Sequence, residues 1–539
     1  MAKKKSNIDA VLLRGYWLSS LIAVLAIASM EASAASKQPR LVVNITIDQL
    51  RSDYLDAFMP LYGNEGFKRL FSEGRVYTRA EYPFATIDRA SSIAALTTGT
   101  VPYDNGIVGQ QWVNRNTLRP MNCVADATVR GLQTDESLSP AKLMVSTLGD
   151  ELKIATDGKA LVYSIAPYSD AAILSAGHAA DGAFWINDKT GDWCGSSYYS
   201  ASLPSWVQMC NSYQGLRSRI ESVTWQPYND LVGNFSYFPS KGVTKPFKHT
   251  FKTTRKYTSY KYSGCVNEEV TRAVMQCLSS TPMGVDGVTD MLNVTYYAGS
   301  FDNQPVDAYP VELQDTYVRL DNEIGKLLST VERKVGRENV LVVVTSTGYV
   351  REDVSENISK FRVPTGDFNI TQSASLLNIY LSALYGNGRY VETVYGSEIY
   401  LNQKLMEEKK INVADLLERS QDLLQRMSGV KDVYTSERLT LGAWTPGISK
   451  IRNSYNPKCS GDIRIMVSPG WRLVNGDTHE SKQIRESFVG FPLFFWGNEV
   501  KAEQIDTPVT VDCIAPTVSQ SIRIRAPNAC SSVPLTGVW

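Results

Sequence analysis

One stretch near the start of the chain constrains the fold more than any other. Arg40–Leu50 reads Arg-Leu-Val-Val-Asn-Ile-Thr-Ile-Asp-Gln-Leu. An apolar, β-branched run of this kind is the signature of a parallel strand buried on both faces. Its closing carboxylate, Asp48, falls at the C-terminal end, where open α/β sheets bind ligands. Arg51 and Asp53 then open a short helix, Tyr54–Met59. Asp48 is the first residue of a candidate site, and any further site residue must converge on it.

The rest of the chain supplies a βαβ framework. Gly66–Glu73 reads as a short amphipathic helix and Arg75–Arg79 as a strand. Asp88–Thr97 reads as a helix stopped at Gly99. A helix is expected over Ala141–Ala155, with strands at Ala160–Ile165, Ala183–Ile186 and Met291–Tyr297. Pro310–Arg333 is a long helix with Leu313, Tyr317, Leu320, Ile324 and Leu327 on one face. Asn339–Thr345 is another buried strand. Strand, helix and strand in this order imply a parallel sheet. Helices follow at Ser373–Tyr385 and Val413–Met427, with a hairpin near Tyr390–Leu401 between them. Ile463–Val467 and Pro492–Trp496 are strands, and Val509–Ser521 leads into a final helix.

At 539 residues, with 55 acidic and 55 basic side chains, the chain is long enough for a large core and carries no net charge. That balance, with no basic stripe beyond the N-terminus, argues against a nucleic-acid binder. Lys3, Lys4, Lys5 and Arg14 precede an apolar run, Tyr16–Ile27, and the small residues Ala32–Ser36. This pattern is a targeting segment. The run is too short for a bilayer, which needs ~20 residues, so cleavage near Ala34 or Ala35 is expected and no transmembrane anchor would remain. The expected destination is the periplasm, the cell envelope or the exterior. The expected domains are a signal peptide at 1–36, a core at 37–194 and 283–539, and a cap inserted at 195–282, rich in Tyr, Trp, Ser, Lys and Pro. Eight cysteines behind an export signal favour disulfides. Cys194–Cys210, Cys265–Cys277 and Cys513–Cys530 are the local pairings, leaving Cys123 with Cys459.

Several motifs in this order resemble the metal-dependent alkaline phosphatase superfamily, in its bacterial type I phosphodiesterase/nucleotide pyrophosphatase branch. They are Ile47-Asp-Gln-Leu-Arg51, Gly66-Phe-Lys-Arg-Leu70, Thr98-Gly-Thr-Val-Pro102, Gly106-Ile-Val-Gly109, Ala176-Gly-His178, Ser196–Tyr199 with Leu203–Trp206, Asp315–Asp321 and Val511–Thr517. The resemblance implies an α/β three-layer sandwich around a mostly parallel central sheet, with an inserted cap. It also implies a phosphoric ester hydrolase that uses two zinc ions and a Thr or Ser nucleophile.

The ligands that such chemistry needs are sparse. The chain contains three histidines, His178, His249 and His479. Of these only His479, in Asp477-Thr-His-Glu480, falls where the family carries a ligand. Asp48 also matches. The family's Asp-Tyr-x-Gly-His falls on Tyr296-Tyr-Ala-Gly-Ser300, so the Asp and His positions carry Tyr296 and Ser300. Its Thr-Ala-Asp-His-Gly falls on Thr345–Tyr349, with Thr347 and Gly348 at the Asp and His. The phosphate-contacting Lys-x-Arg falls on Tyr168-Ser-Asp170, and its Asn on Gln110. Counted forward from Tyr82-Pro83, the nucleophile is Thr86. Counted back from Thr98-Gly99, the position is Arg89; a short insertion reconciles the two, and Thr86 is the expected nucleophile. A Thr ahead of a helix opening with Asp88 can equally be a cap.

Three expectations follow. The first is an exported pseudophosphatase serving a binding or envelope-assembly role, with at most one residual cation. The second is an active phosphomonoesterase or phosphodiesterase with an altered metal site on Asp48, Thr86 and His479, to which Asp302, Asp307, Asp353 or Asp477 could contribute. The third is a binding module whose aromatic cap (Tyr198, Tyr199, Trp206, Trp225, Tyr237, Tyr257, Tyr260, Tyr262) grips a glycan, peptide or envelope protein.

Overall fold

A computed structural model describes residues 38–233, 246–350, 365–442, 446–483 and 490–539. The targeting segment, Tyr237 and Asp353 lie outside the described residues. An eleven-stranded sheet forms the centre. Its strands in chain order are β1 (Leu41–Asp48), β2 (Arg75–Glu81), β3 (Gly131–Leu132), β4 (Val162–Ile165), β5 (Gly182–Ile186), β6 (Trp193–Ser196), β7 (Asp290–Tyr297), β8 (Val340–Ser346), β9 (Phe491–Gly497), β10 (Glu503–Ile505) and β11 (Val509–Thr510). Across the sheet they run β10, β2, β9, β8, β1, β7, β4, β5, β6, β3, with β11 also on β2.

The middle five, β8-β1-β7-β4-β5, are parallel, and β9 and β6 are antiparallel to their inner neighbours. Of the three innermost strands, β1 and β8 are Val- and Ile-rich runs, which suit burial on both faces; β7, DMLNVTYY, is buried along its whole length as well. Asp48 pairs with Tyr297, so the candidate site sits at the strand ends.

Five helices position the site. They are α1 (Arg89–Thr98), α2 (Ser169–Ala176), α3 (Cys265–Ser280), α4 (Pro310–Val335) and α5 (Ile514–Ser521). Helices α1 and α2 pack together on one side of the sheet, and α3 packs against α4 on the other. Asn44 marks the first side. Its Nδ2 donates to Asn293 Oδ1 at 2.9 Å, and Asn293 Nδ2 donates to Ser175 O on α2 at 2.9 Å. Strand alternation then turns Thr46 and Asp48 toward α1 and α2 as well.

The helix expected over 141–155 begins only at Leu148. Thr147 caps it, accepting from the Asp150 amide while the Asp150 carboxylate accepts from the Thr147 amide. This reciprocal cap fixes the start, and the residues from Pro140 onward form turns instead.

The described residues of 195–282, read above as a cap, share the main core. Trp206, Trp225, Tyr257 and Tyr260 are buried there with the sheet residues, and Tyr199 and Tyr262 are half-buried. Most of the aromatics singled out above are therefore packing residues, whereas Tyr198 is exposed. A second core, not anticipated from the sequence, lies between β8 and β9. There Val391–Tyr395, Glu398–Leu401, Ile463–Val467 and Val430–Thr435 form a four-stranded sheet. Two helices, Ile370–Tyr385 and Val413–Gln425, cover it, burying Leu377, Leu381, Leu416, Leu424 and Ile465.

All eight cysteines are free thiols in the structure, and the fold opposes two of the expected disulfides. Cys265 and Cys277 stand at opposite ends of α3, separated by twelve residues or ~18 Å of helix, far beyond the reach of one disulfide. Trp193 Nε1 donates to Glu269 on α3 at 3.2 Å. Alternation therefore turns Cys194 away from α3, whereas Cys210 ends a helix that packs on α3.

Candidate functional site

Asp48 is fully buried at the end of β1. Its Oδ1 accepts from the Thr347 hydroxyl at 3.0 Å, and its Oδ2 faces Arg89 Nη1 at 3.5 Å. Arg89 is the first residue of α1, directly after the cap Asp88. Asp88 accepts from the amides of Ser91 and Gln110, at 2.9 and 2.6 Å, which fixes the helix start against the Gly106–Gly109 turn. The cap thereby aims the Arg89 side chain into the cleft. Its Nε donates to both oxygens of Asp170, at 3.0 and 3.1 Å, and its guanidinium lies 3.8 Å from the centre of the Tyr168 ring. Gln110 Nε2 donates to Asp170 Oδ2 at 2.7 Å. Tyr168 stacks on Tyr262, whose ring meets Tyr297 edge-on.

The result is one cation between two carboxylates, closed over by tyrosines. Burial pushes the Asp48 carboxyl above its usual value, with Arg89 and the Thr347 hydrogen bond opposing. Burial acts on Asp170 too, but Arg89, Gln110 and the Ala171 amide outweigh it and hold that carboxyl below the usual value. Burial would drive Arg89 toward neutrality, yet Asp170 and Asp48 raise its pKa well above the normal range. The guanidinium is a permanent charge here. A buried cation with two anionic partners neutralises much of the charge that a bound cation would otherwise meet.

The structure brings together Asp48, Gln110, Tyr168, Asp170 and Thr347 of the residues singled out in the sequence. It does not bring Thr86 or His479 into that cluster. Thr86 is exposed, and its hydroxyl accepts from Arg464 Nη1 of the second lobe at 3.0 Å. His479 lies in the exposed turn joining Arg472–Val474 to Ser481–Gln483. Tyr296 pairs with Ile47 and points to the opposite face, where its hydroxyl is 2.9 Å from Thr271 Oγ1. The Ser300 hydroxyl is buried with no partner among the described residues.

Gly348 has φ +67°, and a β-carbon there would fall 2.6 Å from the Tyr82 ring and 2.7 Å from the Phe491 ring. Asp302 faces Arg255 at 3.7 Å, and Asp477 is exposed. The other two histidines are structural pins. His178 Nδ1 lies 3.0 Å from Asp150, and His249 Nε2 lies 2.7 Å from Glu312 within an aromatic cluster. Among the described residues, no group of three or more His, Cys, Asp and Glu side chains is arranged to hold a metal ion.

Arg89, not Thr86, is the residue that reaches Asp48, and the forward count missed it. The signal for it was present in the backward count from Thr98-Gly99, which treats the helix as a rigid ruler.

The sequence pattern of the type I phosphodiesterase / nucleotide pyrophosphatase family matches residues 42–491. The chain belongs to this family. It is 26% identical to alkaline phosphatase PafA of Elizabethkingia meningoseptica, over 97% of this chain and 98% of PafA. It is 28% identical to alkaline phosphatase PhoV of Synechococcus elongatus, over 91% of each. The crystal structure of wild-type PafA superposes with a TM-score of 0.80, covering 94% of this chain and 99% of that one. The central sheet and its flanking helices are thus the alkaline-phosphatase-like architecture that the motifs implied, and the family is one of phosphoric ester hydrolases.

Proposed function

We propose that this chain is a pseudophosphatase, an exported member of the family whose fold serves binding or assembly in the cell envelope. One observation carries the reading: the Arg89 guanidinium lodges between Asp48 and Asp170. Two zinc ions need several carboxylates and imidazoles in one cluster. Beside Asp48 stand a threonine hydroxyl, a guanidinium and a tyrosine-lined wall. That donor set does not fit a dinuclear zinc centre.

Phosphate recognition is inverted as well. Asp170 stands where the resemblance places a phosphate-contacting arginine, and a carboxylate there repels a phosphate dianion. Support for export is the basic, apolar and small-residue order of the first 36 residues.

The test is direct. The purified mature chain is loaded with zinc, and hydrolysis of p-nitrophenyl phosphate and of bis-p-nitrophenyl phosphate is followed alongside elemental analysis. The expected result is no zinc-stimulated turnover and no stoichiometric zinc. Turnover that rises with bound zinc would overturn the reading.

A further inference from the structure

The C-terminal tail crosses the end of α1 and packs beside α5. Gly99, which ends α1 with φ +64°, is the meeting point. A β-carbon on Gly99 would fall 2.7 Å from Cys530 Sγ and 3.0 Å from the Asp512 carbonyl oxygen. That carbonyl belongs to the peptide carrying the Cys513 nitrogen, so Cys530 Sγ and the backbone leading into Cys513 meet at the same glycine. Two further contacts keep the strands of chain together there. The Ser532 hydroxyl donates to the Asp512 carboxylate, and the Leu535 amide donates to Thr517 Oγ1 on α5 at 2.8 Å. Cys513 is buried, whereas Cys530 is partly exposed.

We propose that Cys513 and Cys530 form a disulfide that fastens the C-terminal tail to the start of α5. The oxidant is a small-molecule or protein disulfide acting by thiol–disulfide exchange. The Cys530 thiol, which the oxidant can reach, loses its proton and attacks one oxidant sulfur. A mixed disulfide forms and one oxidant thiolate leaves. Cys513 loses its proton and attacks the Cys530 sulfur, releasing the second oxidant thiolate. The two thiolates take up the two protons, so two protein thiols are oxidised and one oxidant disulfide is reduced. Burial raises both thiol pKa values, Cys513 to about 12, so exchange is slow at neutral pH. The bond closes beyond the candidate site and is independent of whether the chain hydrolyses anything.

The full chain is purified, equilibrated with a mixture of reduced and oxidised glutathione, quenched with iodoacetamide and digested without reduction. The expected product is the peptide containing Cys513 joined to the peptide containing Cys530, released by reductant. Recovery of both as alkylated or glutathione-bearing peptides, or joined to other cysteines, would overturn the proposal. In Cys530→Ser, whose serine is smaller than the thiol it replaces beside Gly99, Cys513 is expected as a monomeric, unlinked peptide. Limited digestion with carboxypeptidase gives the second readout. Tail removal is expected to slow severalfold in oxidised wild-type protein relative to reduced protein, and to lose that difference in Cys530→Ser. Equal rates in oxidised and reduced wild type would show that the tail is not fastened.

Discussion

Arg89 and Asp170 grip each other in the interior, with one guanidinium nitrogen within 3.1 Å of both carboxylate oxygens and each side chain less than a tenth exposed. The charges stand in exchanged positions. The resemblance expects a neutral hydroxyl at the start of the helix and cations across the cleft. Here the cation starts the helix and the anion lies across from it. An ion pair of this kind satisfies itself and leaves little unbalanced charge for a ligand.

Removing Asp170 leaves Arg89 with the longer 3.5 Å contact to Asp48 as its ion pair. Asp170→Asn is therefore expected to destabilise the protein by about 3–5 kcal/mol, the usual cost of breaking a buried pair. Replacing the whole cluster by neutral groups of similar volume (Arg89→Met with Asp48→Asn and Asp170→Asn) is expected to cost much less than that single change. Urea unfolding of the single and triple variants checks this. A triple variant weaker than Asp170→Asn would contradict the argument.

The two carboxylates should pull stability in opposite directions with pH. Asp170 has a lowered pKa, so its contribution is present above the unfolded value near 3.8 and is lost as pH falls through the folded value. Asp48 has a raised pKa, so its contribution is full below 3.8 and is lost as pH rises through the folded value. Asp48→Asn is expected to remove the second effect alone, leaving a melting curve that falls less as pH climbs from the acid range. Overlapping pH–Tm curves for wild type and Asp48→Asn would refute this assignment.

Freeing the cleft should not revive a phosphatase. Arg89→Thr supplies a hydroxyl at the helix start and empties the space between Asp48 and Asp170. Tyr296, Ser300, Thr347 and Gly348 still offer neither imidazole nor carboxylate. The expected outcome is a destabilised variant whose folded fraction shows no zinc-stimulated phosphomonoesterase activity, measured beside zinc content by mass spectrometry. Robust turnover in this variant would mean that a working ligand set lies elsewhere.

His178 supplies a separate pH-sensitive pin. Its hydrogen bond to Asp150 raises its pKa above 6.5, against burial. Its contribution to stability is therefore complete below that value and fades as pH rises through the raised one. His178→Gln is expected to lower Tm most in mildly acidic buffer and progressively less above neutrality. A constant deficit across that range would show that the ring acts only by filling space.

The sequence exposed the sheet more readily than the site. Runs such as Val340–Val344 can only be buried strands, and the carboxylate closing β1 locates the strand ends. Asp88 and Gly99 bound α1 because a cap acceptor and a left-handed glycine mark helix ends locally. The site was less legible because its decisive contact joins residues 81 positions apart. The residues around position 89 could be aligned from either side, and only the fixed rise of α1 selects arginine for the cleft. The second lobe was hidden for another reason. Its short strands and helices look locally like any others, and only their mutual burial shows a separate core.

Gly348 is a position that no side chain can enter without displacing its neighbours. Tyr82 and Phe491 have closed over the space in which a side chain would begin, and the backbone has settled into a conformation that glycine alone adopts without strain. Placing an imidazole there would first require shrinking two aromatic rings, one just after β2 and one at the start of β9.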